Sequence, residues 1–298
     1  MYPNIINKKI IIGTAQWGLN YGLTQTDSKI SSNELKKIVN FLEKKKIYDL
    51  DTSIIYGDAH SRIAQFCNAD FRVYTKFSVN LDIPNEEEFR AKVQQDCTNS
   101  LSSLGQASRA GIYIHNTEAI YDKKFKVLVD TMHEIKMRQK NLKVGISVYT
   151  TKDIETLLEY WNPDIIQLPI NVIDQRLVKS GSLKLLKSRG VEVHARSIFL
   201  QGLLLRDLDN IPPFFQPWIS IFKDFEKWCL ESNMSKLQAC VSDIRNIPEI
   251  DKIVIGVDNS LQLEEISNIQ PHIDFNRFEF KMLPNEDLLD PRRWIRKL

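Results

Sequence analysis

The sequence contains few cysteines, no long apolar run and no excess of charge of either sign. Its four cysteines among 298 residues lack C-x-x-C spacing, so neither a zinc site nor a disulfide framework is indicated. No apolar run approaches membrane-spanning length, and the first residues lack the apolar core of a signal peptide. A formal net charge of +2 does not indicate nucleic acid or an acidic membrane surface as a partner. We therefore expect a protein of the reducing cytoplasm that binds neither.

Phosphate-binding motifs and metal-ligand spacings are missing as well. No G-x-G-x-x-G follows a candidate strand, and no G-x-x-x-x-G-K-[ST] occurs; Gly18 and Gly22 come nearest, with the wrong spacing. The histidines show no i, i+4 pair and no H-x-H, so we expect no metal centre. They are His60, His115, His133, His194 and His272.

What the sequence does contain is a regular alternation of short apolar runs and longer segments with apolar residues about 3.6 positions apart. The apolar runs are 8–15, 47–53, 71–77, 109–116, 142–149, 164–171, 191–198 and 251–258. This alternation predicts β-α units with parallel strands. Eight runs, without a dinucleotide motif, favour an α/β single (β/α)₈ TIM barrel over an open doubly wound sheet. We expect one domain over 1–298, with a long βα loop at about 199–218.

The clearest helical segments begin with capping residues. The four segments are 31–46, 86–104, 123–140 and 151–161. Ser31 precedes Glu34 by three positions, which predicts a capping box. Thr150 precedes a first turn that contains Asp153, and Ser260 is the expected cap of the helix after the eighth strand.

Four polar residues with complementary chemistry lie near the ends of consecutive predicted strands. Asp51 and Tyr56 follow the second strand, Lys76 ends the third and His115 ends the fourth. Neighbouring strands are about 4.8 Å apart, so these side chains can converge. An ammonium group lowers the pKa of a nearby phenol, and a carboxylate keeps that ammonium charged. Tyr56 could then act as a general acid toward a carbonyl oxygen, with His115 as a second donor.

Taken one at a time, these residues are more often structural: a surface lysine, a strand-end cap, a loop aromatic or a satisfied histidine. Their joint position at one end of three consecutive strands is what favours chemistry. Because no metal cluster is apparent, a nicotinamide that supplies hydride is the fitting electron source. The residues therefore predict carbonyl reduction or its reverse.

In these motifs the chain resembles the aldo-keto reductase superfamily. The matching stretches are GTAQWG (13–18), DTSIIYG (51–57), TKF (75–77), IHN (114–116), GIS (145–147), IIQLPIN (165–171), RSIFLQGLL (196–204) and LQLEEI (261–266). The resemblance implies Tyr56 as the proton donor, with Lys76 and Asp51 as its tuning pair. It also implies His115 as the group that orients the carbonyl. Members bind NADPH, or less often NADH, extended across the barrel mouth without a Rossmann domain.

The resemblance further implies a set of ligand contacts. Ser147 and Gln167 would hold the nicotinamide amide, and Gln262 and Glu265 would contact the adenosine end. The full cofactor set is Thr14, Asp51, Ser147, Gln167, Arg196, Ser197, Gly202, Gly256, Asp258, Gln262 and Glu265. Substrate contacts are expected from Trp17, Tyr56 and His115. Tyr21, Phe214, Phe215 and Trp218 are further candidates to line the mouth.

Four positions depart from the family pattern. Val148 stands where an asparagine commonly follows the serine of GxS, and Ile266 replaces the last asparagine of the adenosine-binding helix. Arg196 occupies the position of an aromatic that often stacks on the nicotinamide. No lysine or arginine lies in 256–266, and Asp258 would repel a 2′-phosphate but accept bonds from ribose hydroxyls. We therefore expect a slight preference for NADH, within a cofactor set of NAD(H) or NADP(H).

The expected substrate is a small carbonyl compound, an aldehyde, a ketone or a sugar-derived carbonyl, because aromatic walls suit a sugar ring. Two alternatives stay open. A non-enzymatic nicotinamide-nucleotide-binding regulator could use the same barrel, since the carboxamide contacts are altered. A metal-dependent barrel hydrolase or isomerase could use Asp51 and His115 as ligands, although the histidine spacing speaks against it.

Overall fold

Eight parallel strands pair in chain order and close into a barrel. The computed structural model describes residues 9–23, 29–269, 276–279 and 284–294. The strands are β1 Ile10–Gly13, β2 Asp49–Asp51, β3 Arg72–Phe77, β4 Ser108–Ile114, β5 Lys143–Ser147, β6 Ile165–Pro169, β7 Glu192–Arg196 and β8 Lys252–Gly256. Seven of them lie within a predicted apolar run, and β4 begins one residue before the run 109–116. The (β/α)₈ TIM barrel is confirmed, and the open sheet was the wrong alternative because β1 pairs with β8.

Helices follow the strands and cover the outside of the barrel. They are α1 Ala15–Gly18, α2 Ser32–Lys45, α3 Ala59–Phe66, α4 Glu86–Ser102, α5 Phe125–Arg138, α6 Thr151–Tyr160, α7 Arg176–Lys179, α8 Ser182–Ser188, α9 Ile219–Glu231, α10 Lys236–Arg245, α11 Ser260–Asn268 and α12 Glu286–Leu289. The main apolar core lies between these helices and the strands. Strands with consecutive buried positions, such as β6, are therefore covered on both faces.

The strand register brings the strand ends to a common level. Gly13 pairs with Asp51 on one side and with Gly256 on the other. Ser147 pairs with Gln167 in the same way. Residues that are far apart in sequence therefore meet at the C-terminal mouth of the barrel.

Two of the three expected helix caps differ from the prediction. Ser31 accepts a hydrogen bond from the backbone N–H of Glu34, but the Glu34 carboxylate does not complete the capping box. It accepts instead from both the backbone N–H and the hydroxyl of Ser260, each at 2.7 Å, because two donors outcompete one. Asn259, not Ser260, caps α11. Thr150 caps its helix as expected, and it does so in a complete capping box with Asp153.

The expected long loop is the first part of a large connection between β7 and β8. It contains three short 3₁₀ helices, Leu203–Leu205, Leu208–Asn210 and Pro213–Trp218, and leads into α9 and α10. Together these elements form a second apolar cluster beside the barrel. The ring centroids of Phe215 and Trp294, for example, are 4.8 Å apart. The connection is a packed layer over one side of the barrel mouth.

A chain of hydrogen bonds runs through the barrel interior below the mouth. The hydroxyl of Tyr113 bonds to Nδ1 of His194 at 2.6 Å and also to Gln167. Nε2 of His194 lies 2.8 Å from Oε1 of Glu192, whose other oxygen pairs with Lys143 at the barrel base. Gln167 is therefore supported from below by buried polar groups.

All four cysteines are buried and carry free thiols. Cys67 directly follows α3, and Cys97 lies on α4. Cys229 and Cys240 lie on α9 and α10, in the second apolar cluster. Burial is the largest of the effects that raise the pKa of each thiol.

Candidate active site

The C-terminal ends of the strands surround a cavity of about 970 Å³. Each strand contributes a lining residue at or near its end: Gly13, Asp51, Lys76, His115, Ser147, Gln167, Arg196 and Gly256. The connections after β1, β2 and β7 supply much of the remaining wall. Because (β/α)₈ barrels build their active sites on this face, the cavity is the candidate site.

Asp51 and Lys76 form a buried ion pair in the cavity wall. Nζ of Lys76 donates to Oδ1 of Asp51 at 2.5 Å and to the carbonyl oxygen of Thr52 at 3.2 Å. Nε2 of Gln167 donates to the second carboxylate oxygen of Asp51 at 2.7 Å. Lys76 is only 1% exposed, and burial lowers the pKa of its ammonium group while the charge of Asp51 opposes this effect. The predicted carboxylate–ammonium pair is thus present.

Two glycines allow the turn that carries Tyr56 to lie close to the loop after β1. A Cβ on Gly18 would overlap the carbonyl oxygen of Tyr56, and Gly57 adopts a φ of +54° where a Cβ would overlap Gly18. The half-buried Tyr56 ring lies 5.5 Å from Nζ of Lys76. It meets the ring of His115 edge-on at 6.2 Å. The four predicted polar residues therefore share one region of the cavity.

The pKa of Tyr56 is shifted in the direction opposite to the expected one. Burial raises it, and the negative charge of Asp51 raises it further, whereas Arg196 acts in the lowering direction. The reason lies in the geometry of Lys76, whose ammonium group is paired with Asp51 and lies over the tyrosine ring. The expectation that Lys76 lowers this pKa was wrong for this state of the protein. Tyr56 carries its proton at neutral pH.

His115 is a neutral imidazole at neutral pH. Burial, followed by the positive charges of Lys76 and Arg196, lowers its pKa to about 3. Its Nδ1 atom lies 3.2 Å from the hydroxyl oxygen of Ser53. His115 can therefore donate or accept one hydrogen bond in the cavity, but it does not carry a charge there.

Most of the predicted cofactor residues line the same cavity. They are Asp51, Ser147, Gln167, Arg196, Ser197, Gly202, Gly256, Asp258, Gln262 and Glu265. Thr14 is the exception: it is fully buried behind the wall, and its hydroxyl oxygen has no hydrogen-bond partner among the described residues. Its neighbours Gly13 and Ala15 face the cavity instead.

Several predicted substrate-contacting aromatics do not line the cavity. These aromatics are Trp17, Phe214, Phe215 and Trp218. Trp17 is fully buried in the main core, because the four-residue helix α1 turns it away from the mouth. The other three pack into or against the second apolar cluster. Tyr21, Tyr56 and His115 do line the cavity.

Several residues of the cavity wall were not predicted from the sequence. Tyr149 follows β5, so the rule that found the other strand-end residues would also have found it. Its ring lies under the guanidinium groups of Arg196, at 4.3 Å, and Arg292, at 3.4 Å. Met234 and Leu237 come from the connection between β7 and β8 and have no local sequence signal.

Arg196 offers an unsatisfied donor in the cavity wall. Its Nη1 donates to the hydroxyl of Ser197 at 3.3 Å. Its Nη2 is buried and has no hydrogen-bond partner within the described part of the chain. A buried guanidinium nitrogen without a partner is costly, so this position fits an acceptor group of a ligand.

At the far end of the cavity, the start of α11 uses its own hydrogen-bond donors. The backbone N–H of Asp258 donates to Oε1 of Gln262 at 2.8 Å, and that of Gln262 donates to Asn259 at 2.9 Å. The two Ser260 donors are bound by Glu34. These hydrogen bonds are the main reason that the Glu34 pKa falls to about 2. The carboxylates of Asp258 and Glu265 face the same end.

Fold and site together define a (β/α)₈ barrel with a buried lysine–aspartate pair beside a tyrosine and a neutral histidine. The chain belongs to the aldo/keto reductase family, whose model matches residues 9–283. Members of this family are oxidoreductases that depend on NAD(P) and act on small carbonyl substrates.

Solved structures share the fold at low sequence identity. An aldo-keto reductase from Bacillus halodurans, AKR11C1 in its holo form, gives a TM-score of 0.67 at 15% identity, covering 91% of this chain and 88% of that one. The glycerol dehydrogenase AKR11B4 from Gluconobacter oxydans gives 0.62 at 17% identity, covering 89% and 88%. At these identities the similarity concerns the fold alone. The comparison with curated proteins finds no similar sequence.

Two kinds of feature are absent from the described residues. No helix in that part of the chain is long and apolar enough to cross a membrane. No three histidine, cysteine, aspartate or glutamate side chains among the same residues converge into a metal site. His272 lies outside the described residues.

Proposed function

We propose that the protein is an NAD(P)H-dependent carbonyl reductase that converts an aldehyde, ketone or sugar-derived carbonyl to the alcohol, or catalyses the reverse. The observation that carries this proposal is the convergence of Tyr56, His115 and the Asp51–Lys76 pair on the wall of one cavity. Membership of the aldo/keto reductase family supports the reaction class. We further propose a cytoplasmic enzyme, in line with its four free, buried thiols.

Tyr56 is the proposed proton donor. Its raised pKa keeps the hydroxyl protonated at neutral pH, so a proton is available before the reaction starts. Negative charge that develops on the carbonyl oxygen draws this proton away. The positive charge of Arg196, which acts to lower the Tyr56 pKa, then stabilises the tyrosinate that remains. The neutral His115 orients the carbonyl oxygen through a hydrogen bond.

The cavity residues fit a nicotinamide dinucleotide, which when bound supplies or accepts the hydride. Ser147 and Gln167 would hold its carboxamide, whereas the buried Val148 offers no side-chain donor. Nε2 of Gln167 donates one of its two N–H groups to Asp51, which leaves the amide oxygen as an acceptor for the ligand. The unpartnered Nη2 of Arg196 supports a ligand acceptor nearby.

Other parts of the cavity wall suit an adenosine group. Met234, Leu237 and Ile266 provide apolar walls for a flat base. Asp258 and Glu265 provide carboxylates that can accept hydrogen bonds from ribose hydroxyls.

We propose NADH as the preferred cofactor. A 2′-phosphate is best bound by free backbone N–H groups at a helix start or by basic side chains. The N–H groups of Asp258, Ser260 and Gln262 are already bonded within the protein. The carboxylates of Glu34, Asp258 and Glu265 add negative charge at this end. Both observations support exclusion of the extra phosphate.

The test is steady-state oxidation of NADH and NADPH by the purified protein with a panel of aldehydes, ketones and sugar-derived carbonyls. Turnover that disappears in the Tyr56→Phe variant is the expected result. Tight binding of NADH without turnover of any compound in the panel would instead favour the regulator. Activity that requires a divalent metal and is lost on chelation would favour the barrel hydrolase or isomerase.

A further inference from the structure

Arg196 places a positive charge in the cavity wall that belongs to no ion pair among the described residues. Its side chain ends β7 and lines the cavity. The other two basic side chains of the wall are paired: Nζ of Lys76 lies 2.5 Å from Asp51, and Nζ of Lys236 lies 2.5 Å from Glu226. The remaining acidic side chains of the wall are Asp207, Asp258 and Glu265. Within this part of the chain, Arg196 is therefore the wall cation whose charge is left for a ligand.

The guanidinium group of Arg196 is held in place by stacking rather than by a carboxylate. It lies 4.3 Å from the centre of the Tyr149 ring, which Arg292 also contacts at 3.4 Å. The charge of Arg292 is met by Asp290, with Nη2 donating to Oδ2 at 2.6 Å. Nη1 of Arg196 donates to the hydroxyl of Ser197, and Nη2 is buried without a partner in the described residues. The positive charge is therefore fixed at the wall of the cavity.

Titratable groups around the cavity respond to this charge. Burial and Lys76 lower the pKa of His115, and Arg196 lowers it further. Burial also lowers the pKa of Lys76; Asp51 opposes that effect, whereas Arg196 adds to it. For Tyr56, Arg196 favours the negative form against burial and Asp51. Arg196 therefore disfavours a second positive charge in this part of the cavity and favours a negative one.

Arg196 is a neighbour of the residues proposed to hold the nicotinamide. Ser147 pairs with Gln167 between β5 and β6, and Pro169 pairs with Arg196 between β6 and β7. Gln167 and Pro169 are two positions apart, so Gln167 and Arg196 lie on the same face of adjacent strands. Ser147, Gln167 and Arg196 all line the cavity. A nicotinamide held by Ser147 and Gln167 would therefore be bound within one strand of a fixed guanidinium charge.

The oxidised nicotinamide ring is a cation and the reduced ring is neutral, so this charge acts differently on the two forms of the cofactor. We propose that Arg196 makes the cavity select NADH over NAD⁺ and thereby favours carbonyl reduction over alcohol oxidation. The inference rests on the proposed function, which places a nicotinamide dinucleotide in this cavity.

The charges change in a definite order during reduction. The carbonyl carbon receives the hydride and the carbonyl oxygen receives the proton of Tyr56, so NAD⁺ and a tyrosinate remain. While the tyrosinate is present, its negative charge offsets the repulsion between Arg196 and NAD⁺. Once Tyr56 regains a proton, that offset is gone and NAD⁺ is bound less tightly. We therefore expect NAD⁺ to be a weak product inhibitor and a poor substrate for the reverse reaction.

The test is equilibrium binding of NADH, NAD⁺ and ADP-ribose to the purified protein at neutral pH, which needs no turnover. ADP-ribose lacks the nicotinamide and measures any effect of a variant on the diphosphate that all three ligands share. We expect the wild type to bind NADH roughly tenfold more tightly than NAD⁺. Arg196→Gln should narrow this ratio roughly fivefold or more, because NAD⁺ binding strengthens relative to ADP-ribose. Arg196→Lys keeps the charge and should keep most of the ratio. Lys236→Gln removes a paired cation of the same wall and should leave it unchanged.

Three results would overturn the inference. They are equal binding of NADH and NAD⁺ by the wild type, an unchanged ratio in Arg196→Gln, and a ratio that narrows only because NADH binds more weakly relative to ADP-ribose. An Arg196→Lys variant that loses the ratio as fully as Arg196→Gln would count against it as well, since shape and not charge would then matter. If Arg196→Gln does not fold, Arg196→Met removes the same charge.

Failure of the proposed function gives a different pattern. A protein that prefers NADH through Arg196 but reduces no carbonyl would sink the reductase and leave this inference standing. Equal binding of NADH and NAD⁺ by an active reductase would do the reverse. A protein that binds neither cofactor would refute both.

Discussion

The side-chain amide of Gln167 donates from Nε2 to Oδ2 of Asp51, while the other oxygen of that carboxylate pairs with Lys76. A carboxylate only accepts hydrogen bonds, so the NH₂ group of Gln167 must face it and the amide oxygen must point elsewhere. One buried carboxylate thereby sets both the charge of Lys76 and the orientation of Gln167. Tyr113 and His194 support the same arrangement from within the barrel.

Tyr56→Phe removes the proposed proton donor and little else. We expect kcat for carbonyl reduction to fall by roughly 10²- to 10⁴-fold, the usual contribution of general acid catalysis. The NADH dissociation constant, measured by fluorescence quenching, should stay within about twofold. Tyr160→Phe, which alters an exposed tyrosine outside the cavity, is the control and should retain full activity. A Tyr56→Phe enzyme with near-normal turnover would contradict the assignment.

Lys76→Met leaves the buried carboxylate of Asp51 without its charged partner. Breaking a buried pair in this way costs about 3–5 kcal/mol, so the free energy of unfolding in urea should fall by that amount. The double variant Asp51→Asn/Lys76→Met should recover part of the loss, because no buried charge remains. Lys136→Met, which breaks a more exposed pair with Asp164, should cost less than about 1 kcal/mol. If Lys76→Met and Lys136→Met lose similar amounts of unfolding free energy, burial does not make the Asp51–Lys76 pair more important to stability than an exposed pair.

Stability should fall as the pH drops below about 6.5. The folded protein lowers the pKa of His60 to about 4 and that of His115 to about 3, mainly through burial, from the ordinary histidine value of about 6.5. Below pH 6.5 the unfolded chain therefore binds protons that the folded chain does not. Each histidine therefore lowers the free energy of unfolding by up to about 1.4 kcal/mol for each pH unit below this value. The half-buried His115 contributes less.

Urea denaturation between pH 6.5 and 5 measures this slope before most carboxylates titrate. His60→Asn should reduce this slope, because one of the two histidines that the fold holds neutral is gone. A free energy of unfolding that is independent of pH in this interval, in both proteins, would show that neither histidine is held neutral by the fold.

Asp258→Ser should weaken the discrimination between the two nicotinamide cofactors. We expect the wild type to bind NADH roughly three- to tenfold more tightly than NADPH, and the variant to narrow that ratio because one repulsive charge is removed. Glu264→Gln removes an exposed charge from α11, the helix that follows Asp258, at a position away from the cavity and serves as the control. Dissociation constants from fluorescence titration provide the measurement, and tighter binding of NADPH by the wild type would defeat the prediction.

The sequence predicted the barrel well because buried parallel strands leave a simple pattern. Each of the eight strands coincides with an apolar run to within one residue, and the strand-end positions of Asp51, Lys76 and His115 follow from that pattern alone. Convergence then needs only the closed topology, which brings strand ends to one level. For the same reason, Tyr149 could have been found from its place after β5.

The errors concern side chains whose direction depends on packing outside any repeat. Trp17 lies on a four-residue helix, and no periodicity indicates which face of so short an element is buried. The raised pKa of Tyr56 depends on where Lys76 points, which spacing along the chain does not show. The bond from Glu34 to Ser260 joins residues 226 positions apart and displaces a local capping box. Such long-range competition has no sequence signature.

Chemical modification of the four buried thiols can report local opening of the structure. Their raised pKa values keep them unreactive toward alkylating reagents while the structure is closed. Two of them sit at α3 and α4 on the barrel, and the other two on α9 and α10 of the packed connection. The order in which the two pairs become modified under mild denaturant would therefore tell, without any engineered label, whether the connection over the cavity loosens before the barrel does.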